Sequence, residues 1–293
     1  MQIRANDLNL EAELRGPAHG EPVLMIMGLG MQLVAWPPEL IDALTALGYR
    51  TIVFDNRDIG LSSKFDQWGR PNLIQVSFQY TLGLPIRAPY LLADMADDAI
   101  GLMDALAIPR AHLVGVSMGG MIAQLLAARN PDRVISATLM MTSTGSKLLP
   151  GPTLRARSAM LSRPKSRDTA ALVEHGVDVW RTIGSPAFRI DNETLRARVE
   201  SSIRRSYHPQ GMARQLVAIS ATPHRAQLVG TIDRPTLVVH GRKDPLLPVA
   251  CGIDLARRIH GAQLDLIDGM GHDLPPALMP DLAGRLAAHF ARA

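Results

Sequence analysis

The stretch Leu113-Val-Gly-Val-Ser-Met-Gly-Gly-Met121 restricts the folds open to this chain more than any other. His112 to Val116 is a short apolar run that reads as a buried strand, and Met118 to Arg129 reads as a helix ended by Pro131. Between them Gly115-Val-Ser-Met-Gly119 fits Gly-x-Ser-x-Gly. A strand that enters a helix with only a residue or two to turn strains the backbone of the corner residue. Bulky side chains two positions to either side would then block the close passage of strand and helix. Gly115 and Gly119 supply the clearance, and Gly120 adds to it. The corner leaves Ser117 Oγ projecting from the end of a sheet, over the free N–H groups of a helix N-terminus. That is how a nucleophile is presented. A glycine-rich turn of this kind can also be purely structural, so the remaining chain has to decide.

The same alternation runs on both sides. Gln2–Arg4 and Leu8–Arg15 alternate polar and apolar residues about a turn, which predicts an edge hairpin. Val23–Met27 and Arg50–Phe54 are continuous apolar runs, expected as buried strands, with a helix over about Pro37 to Leu47 between them. A long loop starts at Asp55-Asn-Arg-Asp-Ile-Gly-Leu-Ser62 and reaches about Pro89; within it Pro71–Leu84 is either a short helix lying over something or filler. Leu91–Leu106 is an amphipathic helix with Met95, Ala99, Leu102, Met103 and Leu106 on one stripe and Asp94, Asp97 and Asp98 near its positive end. Val134–Met141 is the next strand. Pro235–His240 and Ala262–Ile267 are two more, with helices over Val249–Ile259 and Leu278–Phe290. Strand–helix alternation implies right-handed crossovers and a mostly parallel central sheet with helices on both faces, an α/β class. From Thr142 to Gly230 the alternation stops, and Arg-, Ala- and Leu-rich helical patches are broken by Pro150, Pro152, Pro164, Pro186 and Pro209. The expected organisation is therefore a core of 1–141 and 231–293 with a helical cap insertion at 142–230.

Composition removes several classes. At 293 residues the chain can bury a sizeable core. Its longest apolar runs are far too short to span a bilayer, and the first residues carry no apolar stretch of a secretion signal, so the cytoplasm is the expected compartment and a membrane is not an expected partner. The single Cys251 excludes an internal disulfide and a cysteine-based zinc site. The net charge of +4 is uneven: residues 145–230 hold 14 Lys/Arg against 6 Asp/Glu. That excess either steers anionic partners or is the solvated face of Arg-rich helices. The basic residues are not interleaved with aromatics, so nucleic acid is not expected. Oligomeric state is not readable.

A serine hydroxyl is a weak nucleophile at neutral pH and needs a base held in place by an acid. In open parallel sheets both come from loops at the carboxyl ends of strands. Gly241-Arg-Lys-Asp244-Pro245 follows the strand Pro235–His240, and Asp268-Gly-Met-Gly-His272-Asp273 follows Ala262–Ile267. The chain order is Ser117, Asp244, His272.

With those residues in view, the chain resembles the α/β-hydrolase family over nearly its whole length. The matching motifs are Gly115-Val-Ser-Met-Gly-Gly120, Asp55-Asn-Arg-Asp-Ile-Gly-Leu-Ser62, His240-Gly-Arg-Lys-Asp-Pro245 and Gly271-His272. Met25-Ile-Met-Gly-Leu-Gly30 with Trp36-Pro37 is most similar to the serine carboxylesterase branch of polyketide methyl esterases that includes aclacinomycin methylesterase. The resemblance implies Ser117 as nucleophile, His272 as general base, Asp244 as the orienting acid, and the helical insertion as the family's cap. Some relatives place the acid after the sixth strand; here that loop, Thr142-Ser-Thr-Gly-Ser-Lys147, has no carboxylate. The oxyanion hole needs two N–H donors. Met118 supplies one by position, and the match places Leu29 as the other, although Met27-Gly28 stands where His-Gly is usual.

Other candidates have blander readings. His112 lies in a strand, His240 ends one, and His175, His208 and His224 fall in the cap. Asp268 and Asp273 are expected to shape the histidine loop, Arg57 and Asp58 to fix their turn, and Cys251 to pack. No metal or organic cofactor is expected: Gly28/Gly30 lacks the third glycine of a dinucleotide fingerprint, and no Lys-Ser/Thr follows Gly115–Gly120. The expected activity is hydrolysis of a small-molecule ester through an acyl-enzyme. Carbon–carbon bond hydrolysis, peracid formation, and ligand reception without catalysis remain open on the same triad, and so does a weaker lipid-surface reading.

Overall fold

The computed structural model describes residues 1–222 and 225–293, so His224 lies outside the described residues. The chain opens with β1 (Gln2–Ala5) and β2 (Leu8–Arg15), an antiparallel hairpin whose corner residues Asn6 and Asp7 both hold positive φ. Short polar side chains tolerate that geometry, which a two-residue hairpin turn requires. Next come β3 (Pro22–Ile26), α1 (Pro38–Ala46) and β4 (Arg50–Phe54). In the long loop that follows, α2 (Leu73–Leu82) is capped by Asn72, whose side chain accepts the N–H groups of Ile74 and Gln75, and it is closed by Gly83 in the left-handed region. Then α3 (Leu92–Ala105), β5 (Ala111–Val116), α4 (Met118–Arg129) and β6 (Val134–Met140) continue the core.

Among the described residues, five α-helices stand between β6 and the next strand: α5 (Leu154–Leu161), α6 (Thr169–Ile183), α7 (Asn192–Arg205), α8 (Pro209–Ala221) and the one-turn α9 (Arg225–Leu228). Thr153, Asp168 and Asp191 cap α5, α6 and α7 through their side-chain oxygens. The chain ends with β7 (Thr236–Gly241), α10 (Ala250–Arg258), β8 (Gln263–Ile267) and α11 (Met279–Phe290).

The eight strands form one sheet in the order β1-β2-β4-β3-β5-β6-β7-β8. It is antiparallel where β2 meets β1 and β4, and parallel elsewhere. Alternate residues of each central strand feed opposite faces, as the two-residue side-chain period demands. Leu24, Ile52, Leu113, Leu139 and Val238 join the layer built on α3 and α4. Val23, Met25, Val53, Val114 and Val239 join the layer built on α1 and α11. Fully burying one such aliphatic side chain is worth about 1.5–3 kcal/mol, so these two layers hold the central strands in register. Because β4 lies on one side of β3 and β5 on the other, the strand order reverses at β3. The carboxyl ends of β3 and β5 therefore border the crevice where open parallel sheets hold ligands.

One charged group differs from its expected place. Asp98 is not a dipole-facing surface group of α3. It is buried and pairs with Arg57 at 2.5 and 2.6 Å, while Asn6 donates to it from the hairpin turn. Helix periodicity cannot separate an acid on a solvated face from one that turns inward toward a partner 41 residues away.

Candidate active site

Ser117 sits at φ +56° and ψ −117°, the strained corner between β5 and α4. Its N–H donates to Met140 C=O at 2.9 Å, and its C=O accepts the Thr142 hydroxyl at 2.7 Å. A non-glycine residue in this backbone region persists only when its surroundings hold it there, and these two bonds from the β6 end do so. The glycines divide the steric work. A Cβ on Gly115 would collide with Gly119 and Gly120, as close strand–helix passage predicts. A Cβ on Gly119 would instead overlap the Ile26 carbonyl, so that glycine admits the neighbouring strand β3. On Gly120 it would crowd Thr142.

Asp244 and His272 come to this corner from the loops after β7 and β8. His272 Nε2 lies 3.1 Å from Ser117 Oγ, and its Nδ1 lies 2.7 Å from Asp244 Oδ2. The other carboxylate oxygen, Oδ1, accepts the N–H groups of Leu246 and Leu247, both at 2.8 Å. Asp244 is thus held from both sides, with Oδ2 against the His272 imidazole and His240 Nε2 farther off at 3.6 Å. A carboxylate only accepts, so the proton sits on Nδ1 and Nε2 is left to accept from the serine. Both side chains are nearly closed to solvent.

The histidine loop is tied to the segment after α6. His272 N–H donates to Ile183 C=O at 2.8 Å, Gly271 N–H donates to Ser185 Oγ at 2.8 Å, and Ser185 Oγ in turn bonds Asp273 Oδ1. Burial pushes the Asp273 carboxyl above the usual carboxylate range. Asp273 therefore shapes its loop through Ser185, while Asp268 reaches Arg242 on the surface.

On the far side of Ser117 lies the turn Gly28–Met31, closed by Met31 N–H to Gly28 C=O at 3.2 Å, with Gly30 at φ +70°. Gly28 faces the serine: a Cβ there would stand 3.2 Å from Ser117 Cβ. Leu29 is half-buried at the cleft. Met118 is the first residue of α4, so its N–H has no acceptor within the helix. Met27, where a histidine is usual, is buried in the α1/α11 layer, and its C=O accepts Asn56 Nδ2 at 3.0 Å.

Arg57 and Asp58 do more than fix a turn. The Arg57 guanidinium lies over Phe65 and Tyr90, 5.2 Å from each ring centre. Asp58 accepts Nε and Nη2 of the fully buried Arg214, both at 2.7 Å, along with Tyr90 OH and Phe65 N–H. Burial alone would raise the Asp58 carboxyl; the bonds from Arg214, Phe65 and Tyr90 and the Arg214 charge outweigh it and hold the group below its usual range. Asp55 likewise accepts Arg205 Nη1 at 2.7 Å. Two arginines of α7 and α8 thus bind the loop after β4.

Four other histidines among the described residues have partners outside the site. His112 bonds Ser136 and stacks on Phe290, and His240 Nε2 bonds Leu247 C=O at 2.8 Å. His175 bonds Ser162 and His208 pairs with Asp66. Cys251 is buried, which pushes its thiol up to about 11 and leaves it a packing residue. Among the described residues no group of three or more His, Cys, Asp and Glu side chains is placed to hold a metal ion, and no helix is long and apolar enough to cross a membrane.

A cleft of about 3140 Å³ opens over Ser117 and His272. Its floor includes Gly28, Leu29, Ser117, Met118 and His272, and α2 and α5–α8 line the rest. A parallel sheet with this crossover order and a Ser–His–Asp constellation at its carboxyl edge defines the alpha/beta hydrolase fold, and the chain belongs to that family, whose description matches residues 21–275. It is 28% identical to rhodomycin D methylesterase DauP of Streptomyces sp. (strain C5), over 98% of this chain and 96% of that one. It is 29% identical to a 2-hydroxymuconate semialdehyde hydrolase of Pseudomonas sp. (strain CF600), over 90% of this chain and 84% of that one. Among solved structures, the meta-cleavage product hydrolase CumD of Pseudomonas fluorescens IP01 superimposes with a TM-score of 0.76 at 25% identity, covering 100% of this chain and 97% of that one.

Proposed function

We propose that Ser117, His272 and Asp244 carry out the ester hydrolysis of this chain, with Leu29 and Met118 N–H as the oxyanion donors. The chain is a serine ester hydrolase of the α/β-hydrolase family, in line with its methylesterase relatives. The observation that supports the residue assignment is the unbroken contact Asp244–His272–Ser117, at 2.7 and 3.1 Å. As Ser117 Oγ attacks the ester carbonyl, His272 Nε2 takes its proton and Asp244 stabilises the imidazolium. The tetrahedral oxyanion forms against Leu29 and Met118 N–H; each such donor is worth about 10²–10³ in rate. The C–O bond breaks, His272 returns the proton to the departing alcohol, and an acyl-serine remains. A water deprotonated by His272 then attacks the acyl-serine, releasing the acid and restoring Ser117. Residues 142–230 act as the cap of this site on a core of 1–141 and 231–293.

The substrate reading follows the cleft. Its floor and walls carry Met31, Met121, Met141, Met160 and Met212, adaptable apolar side chains suited to a bulky acyl part. The names of the methylesterase relatives support a small alcohol leaving group. A panel of p-nitrophenyl esters of rising acyl length, run beside methyl esters of bulky acids, tests this. The expected result is turnover that rises with acyl bulk and falls about 10⁴–10⁶-fold in Ser117→Ala. Turnover confined to 2-hydroxymuconate semialdehyde, the compound named for one Pseudomonas relative, with esters untouched, would favour the carbon–carbon hydrolysis reading.

A further inference from the structure

Gln215, on α8, is fully buried at the meeting of two core loops, and both ends of its amide are engaged. Its Oε1 accepts Gly30 N–H at 2.9 Å, and its Nε2 donates to Arg57 C=O at 2.9 Å. One turn earlier on the same helix, Met212 fills the space beside Gly30, 2.9 Å from where a Cβ would stand. Gly211 lets α8 lie against the Asp58 backbone. Gly30 is the third residue of the Gly28–Met31 turn. Turns of this size interconvert by flipping the peptide between their second and third residues, and positive φ at the third marks one of the two forms. That peptide is Leu29–Gly30, and its N–H is the group Gln215 holds. The bond thereby pins the turn whose second residue, Leu29, lines the cleft.

We propose that Gln215 is a positioning residue for the oxyanion hole: from the cap helix α8 it holds the Gly28–Met31 turn, and with it Leu29, in place beside Ser117. This rests on the reading of Leu29 as an oxyanion donor. It makes the cap part of the catalytic geometry as well as a wall of the cleft. Glutamine suits the position because one loop offers a donor and the other an acceptor, and the amide supplies the complement of each.

The test is Gln215→Met, which keeps side-chain length and removes both bonds. Hydrolysis of p-nitrophenyl butyrate is measured per site titrated with a fluorophosphonate, so that unfolded protein does not count. An alkyl trifluoromethyl ketone, whose serine adduct places an oxyanion in the same hole, reports the hole directly. Expected are a kcat lower by about 10–100-fold, a KM within about twofold, and a ketone Ki raised in step with the loss in kcat/KM. Gln215→Glu, which still accepts Gly30 N–H, recovers part of the loss. A lowered melting temperature with wild-type kcat per titrated site and wild-type ketone Ki would overturn the proposal and leave Gln215 a packing residue. Should Gln215→Met fail to fold, Gln215→Asn, too short to span the two loops, is read by the same criteria. Wild-type protein that neither titrates with the fluorophosphonate nor binds the ketone would overturn the serine-hydrolase reading itself, and the proposal with it.

Discussion

Asp244 shows how much a single residue's surroundings decide. Two backbone N–H groups bond one carboxylate oxygen and His272 bonds the other, which holds the acid in the orientation the imidazole needs. Asp244→Asn keeps the shape but turns an acceptor into a donor on one side and imposes the wrong imidazole tautomer. The expected outcome is a kcat lower by about 10⁴-fold with little change in KM, measured by steady-state kinetics on a p-nitrophenyl ester. Wild-type turnover in that variant would mean the orienting acid lies elsewhere. Ser117, Asp244 and His272 were legible in the chain because each follows a strand in a short, glycine- or proline-marked loop. Thr142, Ser185 and Gln215 were not. A threonine after a strand or a glutamine within a helix carries no local mark, and its meaning comes only from what folding brings against it. For Gln215 those partners are 158 and 185 residues away.

Elements of the core were readable for a different reason: their period is set by burial. The strand runs 50–54 and 134–140 and the helix 118–129 stand where the apolar pattern puts them, within a residue. The helices between β6 and β7 were legible only as a helical stretch. Their apolar stripes are short, their outer faces are rich in arginine, and α6 and α7 bury a small cluster of Val173, Val177, Leu195 and Val199 that is separate from the main core. Ala218 and Val229 of this segment join the main core, and buried polar contacts add to that apolar attachment. Arg214 and Asp58 are both closed to solvent, and removing one partner strands the other. Arg214→Met is expected to cost about 3–5 kcal/mol of stability, since an unpaired buried charge outweighs the lost attraction. The double variant with Asp58→Asn should recover most of it. Denaturant unfolding of the four proteins measures this; a double variant destabilised by the sum of the two single variants would show that the two residues do not act as a pair.

Across the molecule, several buried imidazoles set the response to acid. Burial lowers His112, His240 and His289 below the usual histidine range, His289 to about 4. As pH falls through about 6.5 the unfolded chain takes up protons on these side chains and the folded chain does not. Stability is therefore full above about pH 7 and falls as pH drops, with a slope of about 1.4 kcal/mol per pH unit for each histidine still neutral in the fold. Asp58, held below its usual range, adds to the loss only under about pH 4, where the unfolded carboxyl protonates first. Urea midpoints taken from pH 8 to pH 4 should decline steadily below pH 6.5; a flat profile down to pH 5 would mean these histidines are protonated in the fold. At this scale the mostly parallel sheet and the meeting of three strand-end loops at one edge were foreseeable, because parallel crossovers have one hand and place strand ends together. The contacts that α7 and α8 make with the loop after β4 were not, because each joins charged or amide groups far apart in the chain.

Trapping the acyl-enzyme tests the central claim most directly. Protein mixed with a slowly deacylating aryl ester, quenched in acid within the first turnovers and digested, should carry one acyl group on the peptide containing Ser117. The adduct should be absent from Ser117→Ala. Steady turnover with no acyl group on that peptide, or with the group on another residue, would contradict the account.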